Sequence, residues 1–272
     1  MADPSGSRPK ITTASLRAMK AAGERIAMLT AYDHLFAGLL DQAGIDVVLV
    51  GDSVATVMQG RDTTVPVTMD QIVYHCELVG RGVERALVVG DMPFLSYQVS
   101  VEDALRNAGR LLKEGLAEAV KLEGGAAYAG TVAALVGAGI PVMGHLGLTP
   151  QSIHQFGSYK ARGIEPAERE RILADARALA DAGAFAIVLE KVPAELGAAM
   201  QQAVPIPILG IGAGPHVDGQ VLVTHDMLGL FTRFRPRFAR RYLELADEIG
   251  KAVASYCADV RSGGFPSDEE SY

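Results

Sequence analysis

Six short apolar runs in the chain end in a side chain that can ligate a metal, carry a charge or move a proton. These side chains are Asp52 with Ser53, Asp91, Lys121 with Glu123, His145, Glu190, and His225 with Asp226. In an eight-stranded α/β barrel such residues converge, because the active site lies at the carboxyl ends of the parallel strands. The spacing therefore predicts one active site assembled from residues that are far apart in the sequence.

Three of these residues, Asp52, Asp91 and Glu123, are carboxylates at neighbouring strand ends. Like charges that meet repel each other unless a cation lies between them. Oxygen ligands without an accompanying His/Cys set favour Mg²⁺, which binds one or two carboxylates and leaves positions for water or substrate. The three acids together predict a metal site, although any one of them alone is more simply explained as a helix cap or loop residue.

Lys121 and Glu190 have types suited to forming and stabilising a carbanion. Lys121 alternates with apolar neighbours on a buried strand, and a buried ammonium needs an anionic partner. We expect Lys121 to face the metal carboxylates or a bound anion; a structural ion pair is the alternative. Glu190 follows the apolar run 185–189, and apolar surroundings make a carboxylate a stronger base. That suits removal of a C–H proton, whereas the alternative is a cap on the next helix.

Ser53 and His145 are candidates for binding a substrate carboxylate or oxyanion. Ser53 lies in a Gly-Asp-Ser turn, where its hydroxyl and backbone N–H could hold an anion or cap a helix. His145 ends the fifth apolar run, although a lone histidine is commonly structural. The glycine-rich loop 210–214 follows the seventh strand, where many barrels bind phosphate, but a tight turn explains it about as well.

Apolar runs of four or five residues alternate with helical patterns along most of the chain. The predicted strands are 26–30, 46–50, 86–90, 118–121, 141–145, 185–189, 207–210 and 221–224. Intervening helices imply parallel pairing with right-handed crossovers, which favours a closed (β/α)8 barrel over a doubly wound sheet. An amphipathic stretch from about Pro236 to Arg261 predicts a long C-terminal helix, a type of extension that often packs across a subunit boundary.

Composition narrows the function classes. The chain has 272 residues, 49% of them hydrophobic, which suits one barrel domain at 10–266 with a leader at 1–9 and a polar tail at 267–272. A net charge of −7 with scattered basic residues argues against a nucleic-acid partner.

Two distant cysteines favour a reducing cytoplasm. No run approaches the roughly 18 apolar residues of a membrane helix, and the leader has no apolar core. We therefore expect a cytoplasmic protein without a membrane partner.

A series of short strings runs through the chain from about residue 10 to 266. The strings are Thr30-Ala-Tyr-Asp33, Leu49-Val-Gly-Asp-Ser53, Pro66-Val-Thr68, Val120-Lys-Leu-Glu-Gly124, Gly144-His-Leu-Gly-Leu-Thr-Pro-Gln-Ser152, Val188-Leu-Glu190, and Gly210-Ile-Gly-Ala-Gly214 with Asp218-Gly-Gln220. In this order they resemble the ketopantoate hydroxymethyltransferase family. The resemblance implies a TIM barrel of the phosphoenolpyruvate/pyruvate-like type, Mg²⁺ as cofactor and self-association as a homodecamer.

The same resemblance implies an activity in pantothenate synthesis: transfer of a hydroxymethyl group from 5,10-methylenetetrahydrofolate to 3-methyl-2-oxobutanoate. Residues at matching positions are then expected to share the family's roles. By that resemblance the metal-site residues are Asp52, Asp91 and Glu123, the keto-acid contacts are Ser53, Asp91, Lys121 and His145, and the base is Glu190.

One loop departs from the family pattern, which usually reads close to Gly-Gly-Tyr-Lys-Val-Gln-Gly. This chain has Ser158 and Arg162 within 157–163, from which we expect altered folate or lid contacts rather than lost chemistry. Two other functions are alternatives. A phosphoenolpyruvate mutase or isocitrate lyase-like barrel would carry a catalytic cysteine in a Lys-Lys-Cys-Gly-His type loop, and neither Cys76 nor Cys257 has that context. A non-catalytic binding barrel would have no need of the charged rim.

Overall fold

The computed structural model describes residues 9–272, so the expected leader lies outside the described residues except for its last position. Eight strands pair in parallel and in chain order, and β1 pairs with β8 to close a barrel. The strands are β1 (Ile26–Thr30), β2 (Val47–Val50), β3 (Leu87–Asp91), β4 (Ala119–Glu123), β5 (Val142–Gly147), β6 (Ala186–Glu190), β7 (Ile208–Ile211) and β8 (Gly219–Leu222). The (β/α)8 prediction is confirmed. The doubly wound alternative is wrong, because that sheet would have two open edges.

Helices connect the strands, and side-chain caps set several of their starts. They are α1 (Thr13–Ala22), α2 (His34–Gln42), α3 (Val54–Val57), α4 (Met69–Gly80), α5 (Val101–Lys113), α6 (Ala129–Gly137), α7 (Ile153–Phe156), α8 (Pro166–Asp181), α9 (Ala194–Ala203), α10 (Thr224–Met227) and α11 (Leu245–Ser262). Thr12 and Thr68 form capping boxes with Ser15 and Gln71. The long C-terminal helix is confirmed, but it begins at Leu245 instead of near Pro236.

Strand alternation separates two buried layers and directs the polar side chains. Residues of one parity, such as Val47, Val89 and Met143, belong to a cluster made almost wholly of strand residues, which fills the barrel interior. Residues of the other parity, such as Val120 and Leu122, pack with the surrounding helices. The interior row on a strand therefore passes from apolar residues into polar ones at the carboxyl end. On β4 this row reads Ala119, Lys121, Glu123.

The amino ends of the strands are held by ion pairs and carry a different set of residues. Asp218, just before β8, accepts hydrogen bonds from Lys20 Nζ and from the backbone N–H of Ile208, both at 2.8 Å. Arg85 pairs with Asp46 at 3.1 Å before β2. Charged residues at this end of a barrel serve stability, since the chemistry lies at the opposite end. The Asp218-Gly-Gln220 string is thus partly structural.

The chain divides into two compact units, one ending at Leu222 and one running from Val223 to Tyr272. In the second unit α11 presents an apolar stripe to solvent, formed by Ile249, Val253, Tyr256 and Val260. The expected packing of this helix across a subunit boundary, like the domain limits at 10–266 and 267–272, stays a prediction. Within residues 9–272 no helix is both long enough and apolar enough to cross a membrane.

Candidate active site

Strand register places most of the predicted site residues side by side at the carboxyl end of the barrel. Asp91 on β3 lies opposite Lys121 on β4, and Glu123 on β4 lies opposite His145 on β5. Asp52 follows β2 by two residues, and its backbone N–H donates to Asp91 Oδ2 at 3.0 Å. Residues 22 to 39 positions apart in sequence therefore become neighbours. The predicted convergence of these side chains is confirmed.

Lys121 is the positive charge closest to the aspartates. Its Nζ lies 2.8 Å from Asp91 Oδ1 and 3.3 Å from His145 Nδ1, and its side chain is buried. A buried ammonium is tolerated only beside anions, which explains why Lys121 occupies the interior row of β4. The expectation that it faces the carboxylates is confirmed.

His145 joins the two glutamates of the site. Its Nδ1 lies 3.2 Å from Glu123 Oε1, and its Nε2 lies 3.4 Å from Glu190 Oε2. The side chain of Glu190 is 17% exposed, against 3% for Glu123, so Glu190 is the more accessible glutamate. Its surroundings are also less apolar than the run 185–189 led us to expect, because the imidazole of His145 lies on one side.

The acids crowd one another. Burial, followed by the charges of Asp91 and Glu123, raises the pKa of Asp52 to about 8, although Lys121 and Gln151 act in the opposite direction. Burial also raises the pKa of Asp91, and the neighbouring Lys121 only partly offsets it. These shifts mean that the two aspartates lack enough positive charge around them to remain easily ionised.

Lys121, His145 and Glu123 are held in their charged forms by one another. Burial disfavours the ammonium of Lys121, but Asp91 and Glu123 outweigh it and raise its pKa. Burial and Lys121 disfavour protonation of His145, but the two glutamates raise its pKa to about 9. Burial likewise opposes ionisation of Glu123, yet His145 and Lys121 lower its pKa. At neutral pH the site therefore holds two cationic side chains beside an ionised glutamate.

The donor set fits a hard divalent cation such as Mg²⁺. Asp91 Oδ1 and Glu123 Oε1 are buried and each faces one cationic side chain, Lys121 Nζ at 2.8 Å and His145 Nδ1 at 3.2 Å respectively, so both keep lone pairs to offer. In the described part of the chain no three or more Asp, Glu, His or Cys side chains already surround a common metal position. Mg²⁺ needs only one or two carboxylates, with water or substrate completing its shell. Asp52 and Asp91 have the donor type that this requires; the assignment of Asp52, Asp91 and Glu123 to a metal site stays a prediction.

Ser53 directly precedes the four-residue helix α3, but its side chain does not cap that helix. Its side chain makes no cap hydrogen bond, and its Oγ instead lies 2.8 Å from the hydroxyl of Tyr32. Tyr32 is buried, and its backbone carbonyl is held by His75 Nδ1 at 2.7 Å. The capping interpretation of Ser53 is therefore wrong. The hydroxyl is oriented by its neighbour and stays available to a ligand.

Two residues that the sequence interpretation missed, Gln151 and Tyr97, contact the acidic cluster. Gln151 Nε2 donates to Asp52 Oδ2 at 3.0 Å, and Tyr97 accepts a hydrogen bond from the backbone N–H of Glu123 at 3.1 Å. A third missed residue is Tyr159, whose pKa is raised by partial burial and then by the charges of Glu190 and Asp52. The only sequence signal for Gln151 was its position in the string that contains His145.

The loop 157–163 is held by Arg162, one of its two departures from the family pattern. Arg162 lies 4.1 Å from the centre of the Phe156 ring, pairs with Glu168, and donates its backbone N–H to Lys191 O at 2.9 Å. A guanidinium stacked on a ring and paired with a carboxylate is well anchored. The expected change in folate or lid contacts stays a prediction.

The remaining candidates are the glycine-rich loop 210–214 and the pair His225 and Asp226. Gly212 and Gly214 adopt positive φ angles of 66° and 82°, and a side chain at Gly214 would collide with Ala194, so a tight turn accounts for both glycines. His225 and Asp226 belong to the second compact unit. Burial raises the pKa of Asp226 to about 6, against the opposing charge of Arg241.

Gly147 sets the position of the Glu190 backbone, which makes it a test of the local geometry. Its φ is 88°, and a Cβ atom would overlap the carbonyl oxygen of Glu190. Gly147→Ala is expected to lower the free energy of unfolding by about 2 kcal/mol or more, since it combines backbone strain with overlap. Urea unfolding measures this change. Gly130→Ala, an exposed helical position with no atom within 4 Å, is the control and should change stability by less than about 1 kcal/mol.

Comparison with known sequences extends over almost the whole chain. The profile of the family described as Ketopantoate hydroxymethyltransferase matches residues 10–268. The chain is 54% identical over 277 residues to 3-methyl-2-oxobutanoate hydroxymethyltransferase from Chlorobaculum tepidum, covering 100% of both chains. It is 56% identical over 265 residues to the protein of the same name from Moorella thermoacetica, covering 97% of this chain and 98% of the relative.

Solved structures with low sequence identity share the fold. Phosphonopyruvate hydrolase in complex with oxalate and Mg²⁺ aligns with a TM-score of 0.61 at 14% identity, covering 96% of this chain and 93% of that one. A 2,3-dimethylmalate lyase of the PEP mutase/isocitrate lyase superfamily aligns with a TM-score of 0.61 at 18% identity, covering 97% and 93%. At these identities the likeness supports the barrel type and carries no argument about activity.

Proposed function

Because the chain belongs to the ketopantoate hydroxymethyltransferase family, we propose that it transfers a hydroxymethyl group from 5,10-methylenetetrahydrofolate to 3-methyl-2-oxobutanoate. The products are 2-dehydropantoate and tetrahydrofolate. The observation that carries the proposal is the continuous chain of side chains from Asp52 through Asp91, Lys121 and His145 to Glu190. It combines acids for a metal, cations for an oxyanion and an accessible carboxylate for a proton.

The cation is assigned to Asp52 and Asp91, with Glu123 nearby. Mg²⁺ bound there would act as a Lewis acid that draws electron density from the keto acid and makes its C3 proton removable. Crowding of the carboxylates supports this assignment, because a divalent ion would relieve the repulsion that raises the pKa of Asp52.

The organic anion is assigned to the cationic and hydroxyl groups beside those acids. Lys121 and His145, both protonated at neutral pH, would stabilise negative charge as it develops on the ketone oxygen. Ser53, whose hydroxyl is oriented by Tyr32, would bind the carboxylate of the keto acid. Because these donors are held in place before the substrate arrives, little reorganisation accompanies the reaction.

Proton transfer is assigned to Glu190. Its carboxylate would remove the C3 proton, and its contact with His145 at 3.4 Å would keep it aimed at the substrate. The C3 carbon then bonds to the methylene carbon of the folate, whose two C–N bonds break. One water molecule supplies the hydroxyl oxygen of the product, and the released nitrogens take up the balancing protons.

The test is a complete reaction with ¹³C-labelled methylene on the folate. Mass spectrometry should find the label in the hydroxymethyl group of 2-dehydropantoate. No label in any product of the keto acid, with Mg²⁺ present and the protein folded, would refute the proposed function.

Removal of divalent metal is expected to stop this reaction. With EDTA the rate should fall at least about 100-fold, because Lewis-acid stabilisation of the developing charge contributes several kcal/mol. Addition of excess Mg²⁺ should restore the rate, whereas excess Na⁺ at matched ionic strength should not. An EDTA-treated protein that keeps its full rate would contradict the metal assignment.

Two alternative functions have less support. The cysteine that isocitrate lyase-like chemistry would need is not in the cluster: Cys76 is buried beneath β3 against Gly90, and Cys257 lies on α11. In a purely structural barrel, the buried charges of Lys121 and Asp91 would carry a desolvation penalty without serving any function.

We also propose a cytoplasmic homodecamer, from the family resemblance and the exposed apolar stripe of α11. Light scattering should give a particle about ten times the chain mass of 28.7 kDa. A particle of 28.7 kDa would contradict self-association.

A further inference from the structure

Gln151 makes contact with residues that follow or end three different strands. It is 4% exposed and lies in the short 3-10 turn Pro150–Ser152 after β5. Its Nε2 donates to Asp52 Oδ2 and to the carbonyl oxygen of Met92, both at 3.0 Å. Its backbone N–H donates to Glu123 Oε2 at 3.0 Å. One residue therefore bonds to two of the carboxylates that are assigned to the metal site.

Tyr97 fixes which way the amide of Gln151 points. The Tyr97 hydroxyl lies 2.9 Å from Gln151 Oε1 and 3.0 Å from the carbonyl oxygen of Glu123. Both hydrogens of the Gln151 amide already have acceptors, namely Asp52 and Met92, so Oε1 must be the atom that faces the tyrosine. Tyr97 is itself 2% exposed and packs edge-on against Tyr128 at 5.4 Å. The orientation is thus set by a buried pair of side chains.

These bonds determine which carboxylate oxygens remain for a ligand. Asp52 Oδ2 and Glu123 Oε2 are both engaged by Gln151, whereas Glu123 Oε1 faces His145 Nδ1 at 3.2 Å. A neutral amide can hold one oxygen of an acid without adding charge, so it orients the acid and leaves its negative charge to the cation. A lysine or arginine in this place would neutralise that charge.

We propose that Gln151 and Tyr97 are positioning residues that hold Asp52 and Glu123 in the orientation required to bind Mg²⁺. The inference rests on the metal site of the proposed function and extends it to two residues that do not themselves contact the ion. Removal of the Gln151 amide or the Tyr97 hydroxyl should therefore weaken Mg²⁺ binding more than it destabilises the folded protein.

Gln151→Met is the main test, since it keeps the size of the side chain and the backbone N–H to Glu123 but removes the amide. Isothermal titration with Mg²⁺ should give a dissociation constant about 10- to 100-fold above that of the unaltered protein, which is the usual effect of losing a group behind a metal ligand. In the reaction, the Mg²⁺ concentration for half-maximal rate should rise by the same factor. The rate at saturating Mg²⁺ should fall much less, a split that a general loss of folding would not produce.

Tyr97→Phe provides a second variant in case Gln151→Met does not fold. It should weaken Mg²⁺ binding in the same direction, and the double variant should lose less than the product of the two single losses, because the residues act through one hydrogen bond. Tyr128→Phe is the matched control: it removes a hydroxyl from the neighbouring ring and should leave Mg²⁺ binding within about twofold of the unaltered value.

The outcomes separate the inference from the proposed function. If the unaltered protein binds Mg²⁺ and both Gln151→Met and Tyr97→Phe bind it within twofold of that affinity, the positioning role is refuted and the proposed function stands. If the unaltered protein itself binds no Mg²⁺, the metal assignment fails and the inference fails with it.

Discussion

Glu190→Gln is expected to slow exchange of the C3 proton of 3-methyl-2-oxobutanoate with D2O by about 10²- to 10⁴-fold, the usual contribution of a general base. The amide has the size of the carboxylate but cannot accept a proton at neutral pH. NMR of the keto acid with protein and Mg²⁺, in the absence of folate, follows exchange alone and so isolates the first step. The partial exposure of Glu190 and its contact with His145 are the observations behind this expectation.

The control for this variant is Glu195→Gln, an exposed glutamate in the first turn of α9. It should exchange the proton at the rate of the unaltered protein. Binding of the keto acid to Glu190→Gln should also remain within a few-fold, since the substrate's charged groups are assigned to other residues. Equal exchange by Glu190→Gln and the unaltered protein would remove Glu190 from the role of base.

Asp52→Asn is expected to have opposite effects on stability and on metal binding. Without metal it should raise the free energy of unfolding at pH 8 by an amount on the order of 2 kcal/mol, because it removes a buried carboxyl group crowded by Asp91 and Glu123. It should weaken Mg²⁺ binding by at least about 100-fold, since it removes an anionic ligand. Saturating Mg²⁺ should then reverse the order of stability, because only the unaltered protein gains from binding.

The raised pKa of Asp52 determines the direction in which its contribution to stability changes with pH. The pKa of this group is raised from its ordinary 3.8 to about 8 in the folded protein, so the folded state binds the proton more tightly than the unfolded state. The contribution of Asp52 to the stability of the unaltered protein must therefore fall as pH rises from about 4 to about 8. The advantage of Asp52→Asn should grow over the same window.

Urea unfolding in EDTA at pH 5 and pH 8 measures this growth, with the exposed Asp62→Asn as control. A metal-free Asp52→Asn that is less stable than the unaltered protein at pH 8 would contradict the electrostatic interpretation. The control should leave the pH dependence unchanged.

The sequence by itself determined the architecture and the end of the barrel at which the chemistry lies. Apolar runs such as 47–50 and 186–189 predict buried parallel strands, and the polar residue after each run marks the carboxyl end of the strand. Strand alternation is a local property of the backbone. The sequence therefore predicts that Lys121 faces the acids or a bound anion, and the structure adds that Val120 and Leu122 pack with the helices.

Local pattern was less reliable where the chain leaves the strands. The helices α3 and α7 have four residues each, too few for a periodic signal in the sequence, and α11 begins at Leu245 instead of near Pro236. Ser53 illustrates the same limit. A serine at a helix start is usually a cap, and only the approach of Tyr32 from another strand end shows that its hydroxyl is used otherwise.

Only the tertiary structure decided which groups pair with which. Barrel closure sets the register that brings Asp91 to Lys121 and Glu123 to His145. It also brings Gln151 and Tyr97 behind the acids, where neither is visible to a search for charged or metal-binding residues. The physical reason is that a charged residue directly after an apolar run can be recognised in the sequence itself. A neutral amide or phenol gives no such signal, because its role depends on the partners that folding brings within 3 Å.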